Sequence, residues 1–169
     1  MIRLSTKSQY GVRAMYEIAC GYPDTPVSAP FISEKQDVPA PFLEQILTKL
    51  RKAGIIKSVK GPGGGYLLNG SPDSITIWDI IEHLDGPMAI TSCLDPHKGC
   101  VRIDNCVTHL LWKSLGNHLK DFLSTVSVND LVSGVVLEKI GLKKAGEGCL
   151  SINTCKGSLP PIALHRSER

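Results

Sequence analysis

The chain has 169 residues, 42% of them apolar and 21% charged, and a net charge of +3. That length fits one domain with an arm or tail, and the composition excludes a chain disordered throughout. No apolar run approaches the roughly 18 residues of a membrane span. The opening MIRLSTKSQYGVR shows no apolar core followed by a small-residue cleavage site, so the expected compartment is the cytoplasm. Thiols stay reduced there, and six cysteines call for an explanation other than disulfides.

Charge is unevenly spread. Residues 1–70 hold nine Lys/Arg against five Asp/Glu, whereas residues 71–169 hold ten against eleven. Residues 45–72 contain Lys49, Arg51, Lys52, Lys57 and Lys60 and no acid. A local basic field of this kind suits a polyanion, nucleic acid above all, although a solvated helix face carries the same signature.

In chain order, residues 5–20 read as a helix capped by Ser5 or Thr6, with Tyr10, Ala14, Ile18 and Ala19 at helical spacing. The stretch PDTPVSAP (23–30) breaks it. Ser28 then caps a short second helix with Phe31 and Ile32 on its apolar side, fading before VPAP (38–41). A third helix runs from about Pro41, with Leu43, Ile46, Leu47 and Leu50 on one face and Gly54 as its stop. Two helices joined by a short turn, the second ending in a basic run, form a helix-turn-helix pattern. Two strand-like runs follow, Ile55–Lys60 and Tyr66–Leu68, around a Gly-Pro-Gly-Gly-Gly turn, and predict a β-hairpin. A hairpin directly after a helix-turn-helix is the order of a winged helix.

Ile77, Ile80, Ile81 and Leu84 mark a further helix, ended by Asp85-Gly86-Pro87, and a polar, cysteine-bearing loop occupies about 90–105. Residues 104–125 are the longest periodic stretch, with Val107, Leu110, Leu111, Leu115, Leu119, Phe122 and Leu123, and Val126 beyond them. That stripe exceeds what one small winged domain needs, and burial against a two-fold mate is the expected solution, with packing on its own domain as the alternative. From Gly141 the sequence is Gly, Pro, Ser and Lys rich and aperiodic, the pattern of a mobile tail.

One constellation carries chemistry. Cys93-x6-Cys100-x5-Cys106-x2-His109 places three thiols and an imidazole within 17 residues. Thiolate ligands select zinc, copper(I) or iron–sulfur clusters over hard cations. The C-x-x-C pair of common zinc fingers is missing, and an iron–sulfur centre with one non-cysteine ligand fits at least as well. Cys20 falls on the apolar side of the first helix and reads as a core thiol, while Cys149 and Cys155 read as exposed thiols of the tail. The glycine run GPGGGY (61–66) lacks the Gly-Lys-Ser/Thr ending of a phosphate loop. No catalytic triad, HExxH or paired-carboxylate arrangement can be assembled, so an enzyme is not indicated.

LSTKSQYGVRAM near the start, PFLEQILTKLRKAG in the third helix, VKGPGGGYLL in the wing and CVTHLLW after the loop carry a specific likeness. Over about residues 1–138 the chain resembles the iron–sulfur cluster regulator (IscR-like) family of winged-helix transcription factors. The resemblance implies a mainly α fold: a winged helix-turn-helix with a small β-hairpin wing and a long C-terminal dimerisation helix. It implies a cytoplasmic homodimer that binds double-stranded operator DNA, contacts no membrane and holds one iron–sulfur cluster per subunit, [2Fe–2S] favoured over [4Fe–4S]. Cys93, Cys100 and Cys106 match the family's cysteine ligands and His109 its fourth ligand in the cluster-biogenesis members. The first gap is six residues where the family commonly has five, and the tail with Cys149 and Cys155 falls outside the pattern. The corresponding organisation is a DNA-binding unit at 1–87, a cluster-binding loop at 88–105, the dimerisation helix and a following helix at 106–140, and a tail at 141–169.

On this reading the third helix enters the major groove. Gln45 can pair with adenine, Glu44 can accept from cytosine and Phe42 can touch a thymine methyl. Lys49, Arg51 and Lys52 would position the protein on phosphates, and Lys60 beside Pro62 would reach a minor groove. Ser5, Lys7, Tyr10, Ser28 and Pro41 complete the expected DNA-facing set, and Leu111, Leu115, Leu119 and Phe122 the expected dimer seam. The alternative is a constitutive or thiol-sensing winged-helix protein with a structural zinc site or no metal.

Overall fold

The computed structural model describes residues 4–87, 89–95 and 105–141. The first helix, α1 (Thr6–Cys20), starts where the Ser5 hydroxyl accepts the Ser8 N–H at 3.0 Å. The second, α2 (Ala29–Gln36), is capped likewise by Ser28, which accepts from Phe31 N–H, and it ends on Asp37 in the left-handed conformation. The third, α3 (Ala40–Lys52), begins one residue before the expected Pro41. Pro39 stands at its N-cap, and Pro41 is tolerated in a first turn whose N–H groups have no intrahelical partner. Leu43, Ile46, Leu47 and Leu50 are all completely buried, as their spacing predicts.

The hairpin follows as β1 (Ile56–Val59) and β2 (Gly65–Leu68), antiparallel with Ile56 opposite Leu68 and Val59 opposite Gly65. Its turn takes Gly63 through φ 75°, a conformation a side chain would oppose. Val27 bridges to Tyr66 through two backbone hydrogen bonds of 3.0 and 2.9 Å, so the α1–α2 connection is stitched to the wing. Nothing in the local sequence pattern announces that bridge, because Val27 lies in a proline-flanked loop.

Next comes α4 (Ile77–Asp85), opened by a capping box in which Thr76 and Asp79 satisfy each other's backbone N–H. It crosses α1 closely: a methyl group on Gly11 would run into Leu84 Cδ1. The core lies between α1, α3 and α4 and is closed by Ile32, Val38, Ile56 and Leu68. Phe31 is a correction to the sequence reading. It is 48% exposed, with the Lys35 ammonium 5.3 Å from its ring centre, and Ile32 is the residue α2 buries in the core.

Within the loop, a short 3-10 turn (Ser92–Leu94) packs against the long helix α5 (Val107–Thr125). The apolar stripe of α5 divides. Leu123 packs on the core and Leu115 and Leu119 are half-buried, whereas Val107, Leu110, Leu111 and Phe122 are exposed. Val126 is not helical; it is buried, and its carbonyl accepts the Ile77 N–H at 2.9 Å. The chain thereby returns to the start of α4 and enters α6 (Val128–Ser133), which packs on α1, and then α7 (Val136–Lys139). No helix among the described residues is long and apolar enough to cross a membrane. The expected tail lies outside those residues beyond Gly141.

Candidate nucleic-acid interface and cysteine site

With its apolar face inside, α3 turns Pro41, Glu44 and Gln45 outward near its start and Lys49, Arg51 and Lys52 outward at its end. The three cations also suit the negative end of the helix dipole, so their placement favours the helix as well as a polyanion. Phe42 is half-buried. Its ring meets Tyr10 of α1 edge-on, with centroids 5.7 Å apart and planes at 83°. Arg13 lies 5.7 Å over the same Tyr10 ring. Tyr10 and Phe42 therefore brace α3 against α1, a packing role beside the base contact expected for Phe42. Ser28 is occupied as the α2 cap, and Lys60 and Pro62 stand exposed on the wing.

Two lysines converge at the start of α1. The Lys7 ammonium beside Lys49, helped by slight burial, pushes Lys49 below the ordinary lysine range, and Asp85 opposes the shift. Lys49 Nζ also donates to the Leu84 carbonyl at 3.2 Å. Like charges held together in this way are relieved by an anion bound between them. Behind them Asp85 accepts from the Ser5 hydroxyl at 2.7 Å and from the Ser8 hydroxyl at 2.6 Å.

Glu17 was not singled out in the sequence, although an acid one turn after Ala14 and next to Ile18 in a helix with a buried face needs a partner. It is 1% exposed, 3.1 Å from Lys35 Nζ and 2.5 Å from Gln36 Nε2. That pairing ties α2 to α1 and so orients the helix-turn-helix.

Around α5, Cys93 sits half-buried in the 3-10 turn with its Sγ 3.0 Å from Thr91 Oγ1. Cys106 is the N-cap residue of α5, with its Sγ 3.0 Å from Thr108 Oγ1. Both are thiols rather than disulfides. One turn on, His109 is 6% exposed, and its buried Nδ1 has no hydrogen-bond partner among the described residues. A buried orphan nitrogen costs about 1–3 kcal/mol and needs a reason. Cys100 lies outside the described residues, as do Cys149 and Cys155. Among the described residues no three His, Cys, Asp or Glu side chains converge as a metal site. Cys20 departs from its expected role as a core thiol: it is half-buried at the end of α1. His83 and His118 are exposed and bonded to carbonyls of their own helices.

A helix-turn-helix, a glycine-tipped wing and an outward basic helix define the class, a winged helix-turn-helix regulator. Comparison with known proteins narrows it. The sequence model of the Rrf2 family, described as an iron-dependent transcriptional regulator, matches residues 4–134, and the chain belongs to that family. The HTH-type transcriptional regulator IscR of Pectobacterium carotovorum is 39% identical over 132 residues, spanning 78% of this chain and 80% of that protein. IscR of Escherichia coli is also 39% identical, over 78% of this chain and 81% of that one. Among solved structures, T. potens IscR superposes with a TM-score of 0.65 at 33% identity, covering 79% of this chain and 88% of the other. CymR, the global cysteine regulator of B. subtilis, gives 0.68 at 33% identity, over 79% of this chain and 98% of that one. The protein is accordingly a transcriptional regulator and not an enzyme.

Proposed function

We propose that this chain acts as a homodimer on double-stranded operator DNA and that an iron–sulfur cluster controls its affinity or choice of operator. The observation that carries the cluster is the buried, partnerless Nδ1 of His109, one turn after Cys106 and on the helix against which the Cys93 turn packs. The donor set of soft thiolates and one imidazole suits iron–sulfur chemistry. Cys93, Cys100, Cys106 and His109 would hold the group, [2Fe–2S] in preference to [4Fe–4S]. When bound, it supplies a one-electron centre that oxygen, nitric oxide or iron scarcity can alter. The likeness to IscR relatives supports the same reading.

Glu44 and Gln45 would read base edges from α3, while Lys7, Lys49, Arg51 and Lys52 hold phosphates and Lys60 and Pro62 enter beside the wing. The exposed Val107, Leu110, Leu111 and Phe122 would be covered by the second copy, setting two reading heads about 34–36 Å apart. On this reading residues 1–87 read DNA, 88–105 bear the cluster loop and 106–140 carry the seam, all within the cytoplasm. Ordering the loop then shifts the setting of the heads.

The test is the iron, acid-labile sulfide and zinc content per subunit of anaerobically purified protein, followed by operator binding with and without the metal. Equal iron and sulfide, about two of each per subunit, with operator binding that changes on cluster removal, is the expected result. Zinc alone, or no metal, would leave a constitutive or thiol-sensing DNA-binding protein and overturn the cluster reading.

A further inference from the structure

The acid that ends α4 stands in an unusual place. Asp85 is the last residue of that helix, where a negative charge opposes the helix dipole, yet it lies at the start of α1, where the dipole favours it. Both carboxylate oxygens are engaged there, Oδ1 by the Ser5 hydroxyl at 2.7 Å and Oδ2 by the Ser8 hydroxyl at 2.6 Å. These are short, charge-assisted bonds. Ser8 is completely buried, and its N–H donates to the Ser5 cap, so Asp85 fastens the whole first turn of α1.

That same turn carries Lys7, and Lys49 donates to the carbonyl of Leu84, the residue before Asp85. The carboxylate is thus the counter-charge behind the two lysines assigned to phosphate. A carboxylate so placed weakens any polyanion contact, and a neutral acceptor could have held the Ser5 cap without that cost. Directly after Asp85 the chain turns at Gly86, with φ 81°, and Pro87 into the segment bearing Cys93. A cleft of about 500 Å³ separates Leu4, Ser5 and Thr6 from Gly86, Pro87 and Ala89. The segment therefore has room to move against the start of α1.

We propose that Asp85 is a positioning residue that couples the cysteine-bearing segment to the Lys7–Lys49 pair, setting how strongly that pair holds a DNA phosphate. Drawing Asp85 toward the pair neutralises it; drawing Asp85 away with the segment releases the first turn of α1 and leaves two uncompensated cations. The inference rests on the DNA-binding reading above and adds to it the route from the loop to the DNA.

The test compares the full-length protein with its Asp85→Asn and Ser8→Ala variants. Asn keeps the size and one acceptor oxygen but removes the charge, whereas Ala removes one bond and keeps the charge. Affinity for a generic duplex, measured by fluorescence anisotropy on metal-free protein, should rise about fivefold in Asp85→Asn at low salt. The gain should vanish at about 1 M salt, where screening is nearly complete. Ser8→Ala should show no such gain. In Asp85→Asn, the ratio of operator affinities between metal-loaded and metal-free protein should also move toward one. A residue serving only as a structural latch would instead make both variants bind more weakly, and that result overturns the proposal. So does an Asp85→Asn protein indistinguishable from the unsubstituted chain, provided the latter binds operator. An unsubstituted chain without DNA affinity would overturn the parent reading and this inference with it.

Discussion

Glu17 and Lys35 form an ion pair of 3.1 Å in which the carboxylate side chain is 1% exposed and the ammonium 27%. Because Gln36 Nε2 meets the other carboxylate oxygen at 2.5 Å, α2 is held to α1 by polar contacts at its end and by Ile32 at its middle. Glu17→Ala should cost about 1–3 kcal/mol in urea unfolding, since Gln36 loses a buried acceptor and a cavity opens. Glu17→Gln, which keeps an acceptor for Gln36, should cost less. Equal losses would show that the charge and not the hydrogen bond holds α2.

The Asp130 carboxylate caps α6. Burial raises its proton affinity, but the Lys139 ammonium at 2.7 Å and the N–H and hydroxyl of Ser127 outweigh that, and the carboxyl stays below the ordinary 3.8. A carboxyl with a depressed folded-state pKa contributes stability above the unfolded value and loses it as pH falls through the folded one. Asp130→Asn should therefore be less stable than the unsubstituted protein at pH 7 by about 1–2 kcal/mol. The two should converge as pH falls from 3.8 through the lower pKa of the folded state. Thermal melts across that range check it, and a constant difference would refute the assignment.

His109 separates stability from metal content. In metal-free protein its buried Nδ1 is a cost, so His109→Leu should leave stability unchanged or raise it by about 1 kcal/mol. The same variant should lose iron on anaerobic purification. A histidine that merely fills the core would show the reverse, with lower stability and full iron.

The α5 seam separates folding from assembly. Leu111 is 57% exposed, so Leu111→Glu should leave the fold of one chain intact. Sedimentation should show a monomer, and operator affinity should fall about 100-fold or more once the second reading head no longer acts at high effective concentration. A Leu111→Glu dimer would place the seam elsewhere.

Elements with regular apolar spacing were legible in the sequence: α1, α3 and α4 appear within a residue of expectation because each carries its own buried stripe, reinforced in α1 and α4 by a side-chain cap. Val126 and the Val27–Tyr66 bridge were not, because both depend on partners distant in the chain. The α5 stripe announced excess apolar surface, but periodicity alone does not divide Leu123, on the core, from Leu110, in solvent. At the site, the cysteine spacing pointed to Cys93, Cys106 and His109. Asp85 went unread as a site residue, since an acid before Gly-Pro looks like an ordinary helix stop.

Lys49 and Gln45 lie one turn apart on α3 but should fail differently. Lys49 is paired with Lys7, and a phosphate between them relieves the repulsion that depresses Lys49. Lys49→Gln should thus weaken binding to all sequences alike and lower the slope of log K on log salt by about 1. Gln45 is exposed near the start of the helix and carries no charge. Gln45→Ala should leave the salt slope unchanged, cost about 1–3 kcal/mol on the preferred operator, and relax the preference at one base pair. Anisotropy titrations over a salt series, on the operator and on single-base variants of it, measure both quantities together. If Lys49→Gln changed sequence preference and Gln45→Ala changed the slope, α3 would lie in the groove the other way round, with its C-terminal turn on the bases.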